Sequence, residues 1–398
     1  MREDQRQRSF NRLFHCEGRE NRSTCQSVSF VTCSPKRWSP IFLIGLVVLF
    51  VFLDAILFSI FKPATDWAPL WVGGQLSWTS PRLAYDTDLV SALQVPLVGA
   101  TSDRPFVYPP SALLLFAPLS TLSFPAAFLL FSVLSVALFA RAARPFKPQP
   151  LLLLVAPPVV LAILAGQPTI LVMALILFGL AQLDQKEGWA GVLFAVAAMI
   201  KPPLLLLAPI ALAGGGYWRA LLTAGATATA IGGASLAVFG LDAWLAWLSA
   251  LPAFKVLVTE FEPLLRNAVT PYAMFVRMGL PPYFATACAA LVVIPIAWLS
   301  FAKTRDMRIR LVTLAGGALL LSPYAMNYEL AALAPAVAAL RLERIRDLIM
   351  PGIWAVSLFV SVSLVGLLAV YTWAVVQLVS RWRDAAASTG ADTICHRT

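Results

Sequence analysis

The sequence predicts an all-α, polytopic membrane protein, and three observations carry that prediction. Of 398 residues, 59% are hydrophobic and 13% charged, about half the charged fraction of an ordinary globular chain. Mean hydropathy is +0.78. Apolar runs of 14 to 24 residues recur from residue 40 to residue 380, and each helical crossing of a bilayer needs about 20. The runs are continuous, which excludes a transmembrane barrel, whose strands alternate between lipid and lumen.

Taken in order, residues 1–39 carry eight Lys/Arg against four Asp/Glu and no apolar run of signal-peptide length. They predict a disordered, basic, cytoplasmic tail. A transmembrane domain over 40–383 follows, then a cytoplasmic C-terminal tail, 384–398. The first span is 40–61. Further spans fall at about 124–140, 151–165, 168–183, 189–213 (broken), 219–240, 283–302, 310–323, 329–340 and 349–380 (two helices), giving about 10 to 12 crossings. The proline-containing stretch 109–122 is short for a crossing and reads as half-buried or re-entrant.

Two segments, 62–108 and 241–282, read as extracytoplasmic loops with interfacial helices. DWAPLWVGGQLSW puts Trp67, Leu70, Trp71, Gly74 and Trp78 on one helical face, suited to lying along the membrane surface. Trp244, Trp247 and Phe254 read as interfacial anchors. KPQPLLLLVAPPVVL and KPPLLLLAPIAL resemble each other only as Leu/Pro-rich sequence does, short of a transporter repeat.

Charge fits this topology. With residues 1–39, 141–150, 184–188, 214–219, 302–310, 341–347 and 381–398 in the cytoplasm, 23 of the 30 Lys/Arg lie on that side, the bias that orients membrane proteins. The net charge of +10 therefore reports orientation and calls for no nucleic acid. Both histidines, His15 and His396, sit in the tails, which excludes a Ser-His-Asp triad, His-ligated zinc or a histidine base from the membrane body. Cys16, Cys25, Cys33, Cys288 and Cys395 show neither metal nor redox spacing, and no disulfide framework is expected.

The candidate residues each have a bland reading beside the chemical one. Asp66 opens the Trp-rich helix just above the bilayer; it either caps that helix or acts as a base. Lys201 interrupts AGVLFAVAAMIKPPLLLL before two prolines, so it either faces a polar cavity and holds a phosphate or snorkels to a helix end. Gly166-Gln167-Pro168 and Ser322-Pro323-Tyr324 are turns between apolar runs. Tyr108-Pro109-Pro110 suits a helix start in an aromatic belt. Asp54, inside the first span, reads as a polar helix contact. Asp66, Tyr85-Asp86, Tyr108, Gln167, Lys201 and Asn327-Tyr328-Glu329 nonetheless all fall on the outer side, where they would line one cavity.

In order and spacing, TDWAPLW with GG and AYD (65–86), FVYPPSALLLFAPLSTL (106–122), GQPTILVMALILFGLA (166–181), AGVLFAVAAMIKPPLLLL (190–207) and SPYAMNYEL (322–330) resemble glycosyltransferase family 87, integral-membrane enzymes of the GT-C type. The resemblance implies a GT-C fold in a bacterial cytoplasmic membrane, with the active site on the outer face. It implies a polyprenyl-phosphate-linked sugar donor, mannose first, a lipid or glycan acceptor, membrane lipids as surroundings, and inverting transfer with Asp66 as catalytic base. Lys201, Tyr108, Gln167 and Tyr328 are then the candidates for the leaving phosphate, with Arg104 and Arg266 as further cations. Asn327 belongs to a segment in which many relatives carry a histidine. No cofactor is called for: Asp66 and Asp86 would be the carboxylates to share a divalent cation, but their spacing matches no metal motif. The alternative function is a lipid-linked saccharide flippase or transporter without catalysis, and a third reading is a degenerate structural protein.

Overall fold

A computed structural model describes residues 39–99, 104–359 and 364–395. The N-terminal tail to residue 38, with His15, Cys16, Cys25 and Cys33, lies outside them, as do Asp103 and His396. The described residues contain no strand, and Ala268 and Met326 form an isolated antiparallel bridge.

The helices are α1 (Pro40–Ile60), α2 (Trp67–Ser77), α3 (Thr87–Val98), α4 (Pro110–Leu119), α5 (Phe124–Ala143), α6 (Pro150–Leu154), α7 (Pro157–Ala165), α8 (Thr169–Gln182), α9 (Glu187–Ile200), α10 (Ala208–Gly214) and α11 (Trp218–Glu260). They continue with α12 (Glu262–Asn267), α13 (Pro271–Arg277), α14 (Pro282–Lys303), α15 (Met307–Leu311), α16 (Gly317–Leu321), α17 (Ala334–Val337), α18 (Ile349–Val356) and α19 (Leu364–Cys395). Proline opens α1, α4, α6, α7, α13 and α14. At a first helical position its missing N–H is no loss and its fixed φ is already helical.

Among the described residues, five helical stretches are long and apolar enough to cross a bilayer: Pro40–Ile60, Phe124–Phe146, Trp218–Glu260, Pro282–Lys303 and Leu364–Arg383. In α1, Leu46, Phe50, Leu53 and Leu57 form a buried stripe, while Ile41, Ile44, Val48, Val51 and Phe52 are exposed. A helix apolar all round yet packed on one side only has its other side in lipid. Asp54 is buried within this helix, and its Oδ1 finds no partner.

The other apolar runs are built from shorter pieces. The expected span 151–165 divides into α6 and α7 at Pro157-Pro158. The 310–323 run is α15, a π-helical turn at Val312–Gly316, and α16, and the 329–340 run is a 3-10 stretch, Asn327–Leu333, leading into α17. The 349–380 run is two helices, α18 and α19, the second continuing through the stretch read as a C-terminal tail. Pro109-Pro110 opens the short α4 and Ser120 closes it.

Both outer segments are largely helical. First, the face of α2 expected to lie along the membrane surface is partly packed against protein. Trp67, Leu70 and Gly74 are buried, and the indole N–H groups of Trp71 and Trp78 donate to the Leu122 and Ala117 carbonyls at 3.1 Å. Trp71 and Trp78 therefore tie α2 to the end of α4 and to the turn that follows it, with Trp78 still 60% exposed. Second, residues 241–260 of the outer segment 241–282 are helical. They form the second arm of α11 beyond a kink at Gly240, whose φ of 78° suits glycine.

Two hydrophobic cores result. The larger runs through α7, α8, α9, α16 and α17. The smaller is aromatic: Trp67 stacks on Phe131 with centroids 4.8 Å apart, and Phe116 meets both rings edge-on or tilted. The paired glycines of α2 make this packing feasible, because a Cβ on Gly74 would lie 2.5 Å from the Phe116 carbonyl oxygen. Gly74→Ala is therefore expected to lower the unfolding midpoint in detergent, with an overpacking penalty of about 1–3 kcal/mol. Gly45→Ala, whose Cβ would meet nothing within 4 Å, is the comparison and should not lower it.

Candidate active site

The site begins where α7 ends. Gly166, at φ 76°, closes the helix: its N–H bonds Ile163 O at 3.0 Å and the Gln167 N–H bonds Ala162 O at 2.9 Å, the paired bonds of a Schellman cap. The two carbonyls that remain, Leu164 O and Ala165 O, accept the backbone N–H groups of Ala64 at 2.7 Å and Asp66 at 2.9 Å. The α1–α2 turn is thus docked onto the end of α7, and Asp66 arrives beside Gln167, about a hundred residues away in sequence.

Segment 104–108 is held by three side chains, one per carbonyl. The buried Gln94 of α3 donates to Arg104 O at 2.9 Å, Trp247 to Val107 O at 3.2 Å, and Tyr85 OH to Tyr108 O at 3.1 Å. Trp247, expected as an interfacial anchor, ties the second arm of α11 to this segment.

The side chains so placed form a continuous network. Arg104 and Asp66 are ion-paired, with the Asp66 side chain 12% exposed. The Gln167 amide uses its full bonding capacity: Nε2 donates to Asp66 Oδ2 at 2.7 Å and to Tyr328 OH at 3.0 Å, while Oε1 accepts from Tyr108 OH and from Lys201 Nζ, both at 3.2 Å. Lys201 ends α9, pairs with the buried Glu329, and donates to Thr169 Oγ1 at 2.8 Å. Its ammonium also lies 5.5 Å from the Tyr328 ring centre.

The helix-cap reading of Asp66 does not hold, since its carboxylate accepts no bond from α2. Burial pushes the phenols of Tyr108 and Tyr328 well above the usual tyrosine range, so both remain protonated donors. Burial also draws the Arg104 pKa down, with Tyr328 opposing, yet arginine begins so high that it stays charged.

Two cavities meet at this network. The first, about 400 Å³, has Asp66, Arg104, Tyr108, Gln167, Asn327 and Tyr328 at its polar end, and Leu57, Ile60, Phe61, Leu264, Leu358 and Phe359 among its apolar walls. The second, about 460 Å³, is lined by Lys201, Glu329, Lys255, Tyr272 and Tyr283. Tyr108, Tyr324, Phe254 and Val258 border both. Lys201 therefore faces the second cavity with its three donors already engaged, leaving Arg104 as the cation at the first.

Of the residues singled out in the sequence, the structure joins Asp66, Arg104, Tyr108, Gln167, Lys201 and Tyr328. Asn327 lines the same cavity but turns its amide to Leu358 O at 3.4 Å. Two others stand elsewhere. Asp86 caps α3 through the Leu89 N–H at 3.0 Å, and Arg266 pairs with Glu262 one turn away on α12. The site partners that sequence reasoning passed over are Thr169 and Gln94, and the pairing of Glu329 with Lys201 was also not foreseen. A lysine inside an apolar run signals that a counterion is needed, and Glu329 is the carboxylate that supplies it.

The sequence model of glycosyltransferase family 87 matches residues 106–323, more than half of the chain. Tyr108, Gln167 and Lys201 fall inside the match; Asp66, Arg104, Tyr328 and Glu329 lie beyond its ends. No curated protein and no solved structure matches the chain.

Removing one partner of a buried ion pair strands the other charge, at roughly 3–5 kcal/mol. Lys201→Met and Glu329→Gln are each expected to lower the unfolding midpoint of the detergent-solubilised protein. The double variant should unfold at a higher temperature than either single variant.

Proposed function

Because the chain belongs to glycosyltransferase family 87, a membrane glycosyltransferase, we propose that it moves a sugar, mannose first, from a polyprenyl-phosphate donor to a hydroxyl of a lipid or glycan acceptor. The observation that carries this reading is the shape of the first cavity. A carboxylate, a guanidinium and two phenols stand at one end, and the walls toward α1 and the 358–359 turn are hydrocarbon. A lipid-linked phosphosugar has that same division.

In this reading Asp66 is the general base. It takes the proton of the acceptor hydroxyl as that oxygen attacks the anomeric carbon. The bond between the anomeric carbon and the phosphate oxygen breaks on the opposite face, and polyprenyl phosphate leaves with the electron pair. One displacement inverts the anomeric configuration.

Charge develops on the leaving phosphate, and donors already aimed at that position stabilise it without reorganising. Arg104 is the cation placed for this, with the Tyr108 and Tyr328 hydroxyls beside it. An arriving phosphate competes with Asp66 for Arg104, and drawing the guanidinium away leaves the carboxylate a stronger base. Gln167, bonded to Asp66 on one side and to Tyr108 and Lys201 on the other, holds the carboxylate in its orientation throughout. The bilayer is the natural source of such a donor, and the reading places the site on the outer face of a bacterial cytoplasmic membrane.

The test is transfer of radiolabelled mannose from synthetic polyprenyl-phosphate mannose to membrane lipid extract by the purified protein. Asp66→Asn keeps size and one acceptor oxygen but not basicity, and should lower the rate by about 10²–10⁴-fold. Asp86→Asn should leave it within about twofold, because asparagine caps a helix as well as aspartate does. An Asp66→Asn protein of full activity would refute the base assignment; transfer from other lipid-linked sugars but not this one would refute the choice of mannose.

A further inference from the structure

A second built feature lies at the other end of the bundle. The Ser39 N–H bonds Leu342 O at 2.8 Å where α1 begins, while Asp66 lies just past its end. Since α1 has 21 residues, the two places are separated by about 30 Å, the thickness of a bilayer's hydrocarbon core. Next to Leu342 opens a cleft of about 500 Å³ lined by Lys147, Arg305, Arg308 and Arg341, with Asp306 as its carboxylate.

Basic residues at one membrane face often do no more than orient the chain, and such residues scatter. These converge from three separate segments, and the backbone holds them together. The Gln149 N–H bonds Ala338 O at 2.8 Å, tying the segment of Lys147 to that of Arg341. Arg308 reaches the Ala339 carbonyl at 3.5 Å, joining the third segment to the second. Lys147 itself sits at φ 52° after a 3-10 turn, Arg144–Phe146, a left-handed conformation uncommon for a lysine.

Asp306 does not neutralise the cleft. Its Oδ1 accepts from the Arg308 backbone at 2.9 Å and from Arg308 Nε at 3.1 Å. Its Oδ2 accepts from Arg308 Nη2 at 2.8 Å and Arg381 Nη2 at 2.6 Å. Among the described residues, neither Arg305 nor Arg341 is in an ion pair. Two guanidiniums with open faces, at the depth where lipid headgroups lie, suit an anion with several oxygens, which arginine binds in a two-point fork.

We propose that this cleft is a phosphate-binding site, filled either by the headgroup of an anionic phospholipid or by a soluble phosphate. It stands at the opposite end of the bundle from Asp66 and does not depend on the proposed transferase reaction.

The experiment uses full-length protein stripped of lipid in neutral detergent. In one arm phosphatidylglycerol is titrated against phosphatidylcholine and bound lipids are counted by native mass spectrometry. In the other, radiolabelled inorganic phosphate is measured by equilibrium dialysis. Arg305→Gln/Arg341→Gln is compared with Arg344→Gln/Arg346→Gln, which removes equal charge from the neighbouring surface outside the cleft.

The expected result is about tenfold weaker binding in the cleft variant and little change in the neighbouring one. Loss in the phosphatidylglycerol arm identifies a lipid headgroup, and loss in the phosphate arm a soluble ligand. Equal effects of the two variants, or no variant-sensitive binding in either arm, would overturn the proposal. Should the double variant unfold early, Arg341→Gln alone carries the comparison.

Discussion

The end of α7 is the constraint on which the site depends. A helix that stops leaves carbonyls without partners, and in an apolar interior each needs a donor. Here Gly166 turns left-handed to supply two of those bonds locally, and Ala64 and Asp66 supply the others from the chain that has just left α1. The Trp67 side chain then fills the space beside the glycine: a Cβ on Gly166 would come within 2.5 Å of Trp67 Cβ. The same bonds that finish a helix therefore bring Asp66 and Gln167 together, and the geometry of the candidate site is fixed by backbone hydrogen bonds.

From that point the network separates two ion pairs with different duties. Asp66–Arg104 is partly accessible and faces a cavity, so a ligand can exchange one of its members. Lys201–Glu329 is buried, and Thr169 and Gln167 take the lysine's remaining donors. Breaking it would strand a charge in a medium that solvates it poorly. The Gln167 amide couples the pairs without carrying charge itself, giving the accessible carboxylate a rigid support.

The class of fold was legible in the sequence, because continuous apolar runs and scarce charge leave few alternatives. Five of the residues now bonded to one another, Asp66, Tyr108, Gln167, Lys201 and Tyr328, were drawn together by their shared side of the membrane. Periodicity could not separate an apolar face turned to lipid from one turned to protein. For that reason the bonds of Trp71, Trp78 and Trp247 to the Leu122, Ala117 and Val107 carbonyls were not legible beforehand. Asp86 and Asp66 are both aspartates ahead of helices; only the placement of Gln167 and Arg104 shows which one caps and which one faces the cavity. Glu329 was placed on the same side, but its pairing with Lys201 was not legible because the partner of a buried lysine is chosen by tertiary structure.

The most direct test of the central claim, that Asp66 acts as a base in one displacement within the first cavity, is the anomeric configuration of the product. Sugar transferred from a β-configured polyprenyl-phosphate donor should carry an α linkage, read by anomer-specific glycosidase digestion or by NMR. A β-linked product would mean two displacements or a different mechanism, and would contradict the account.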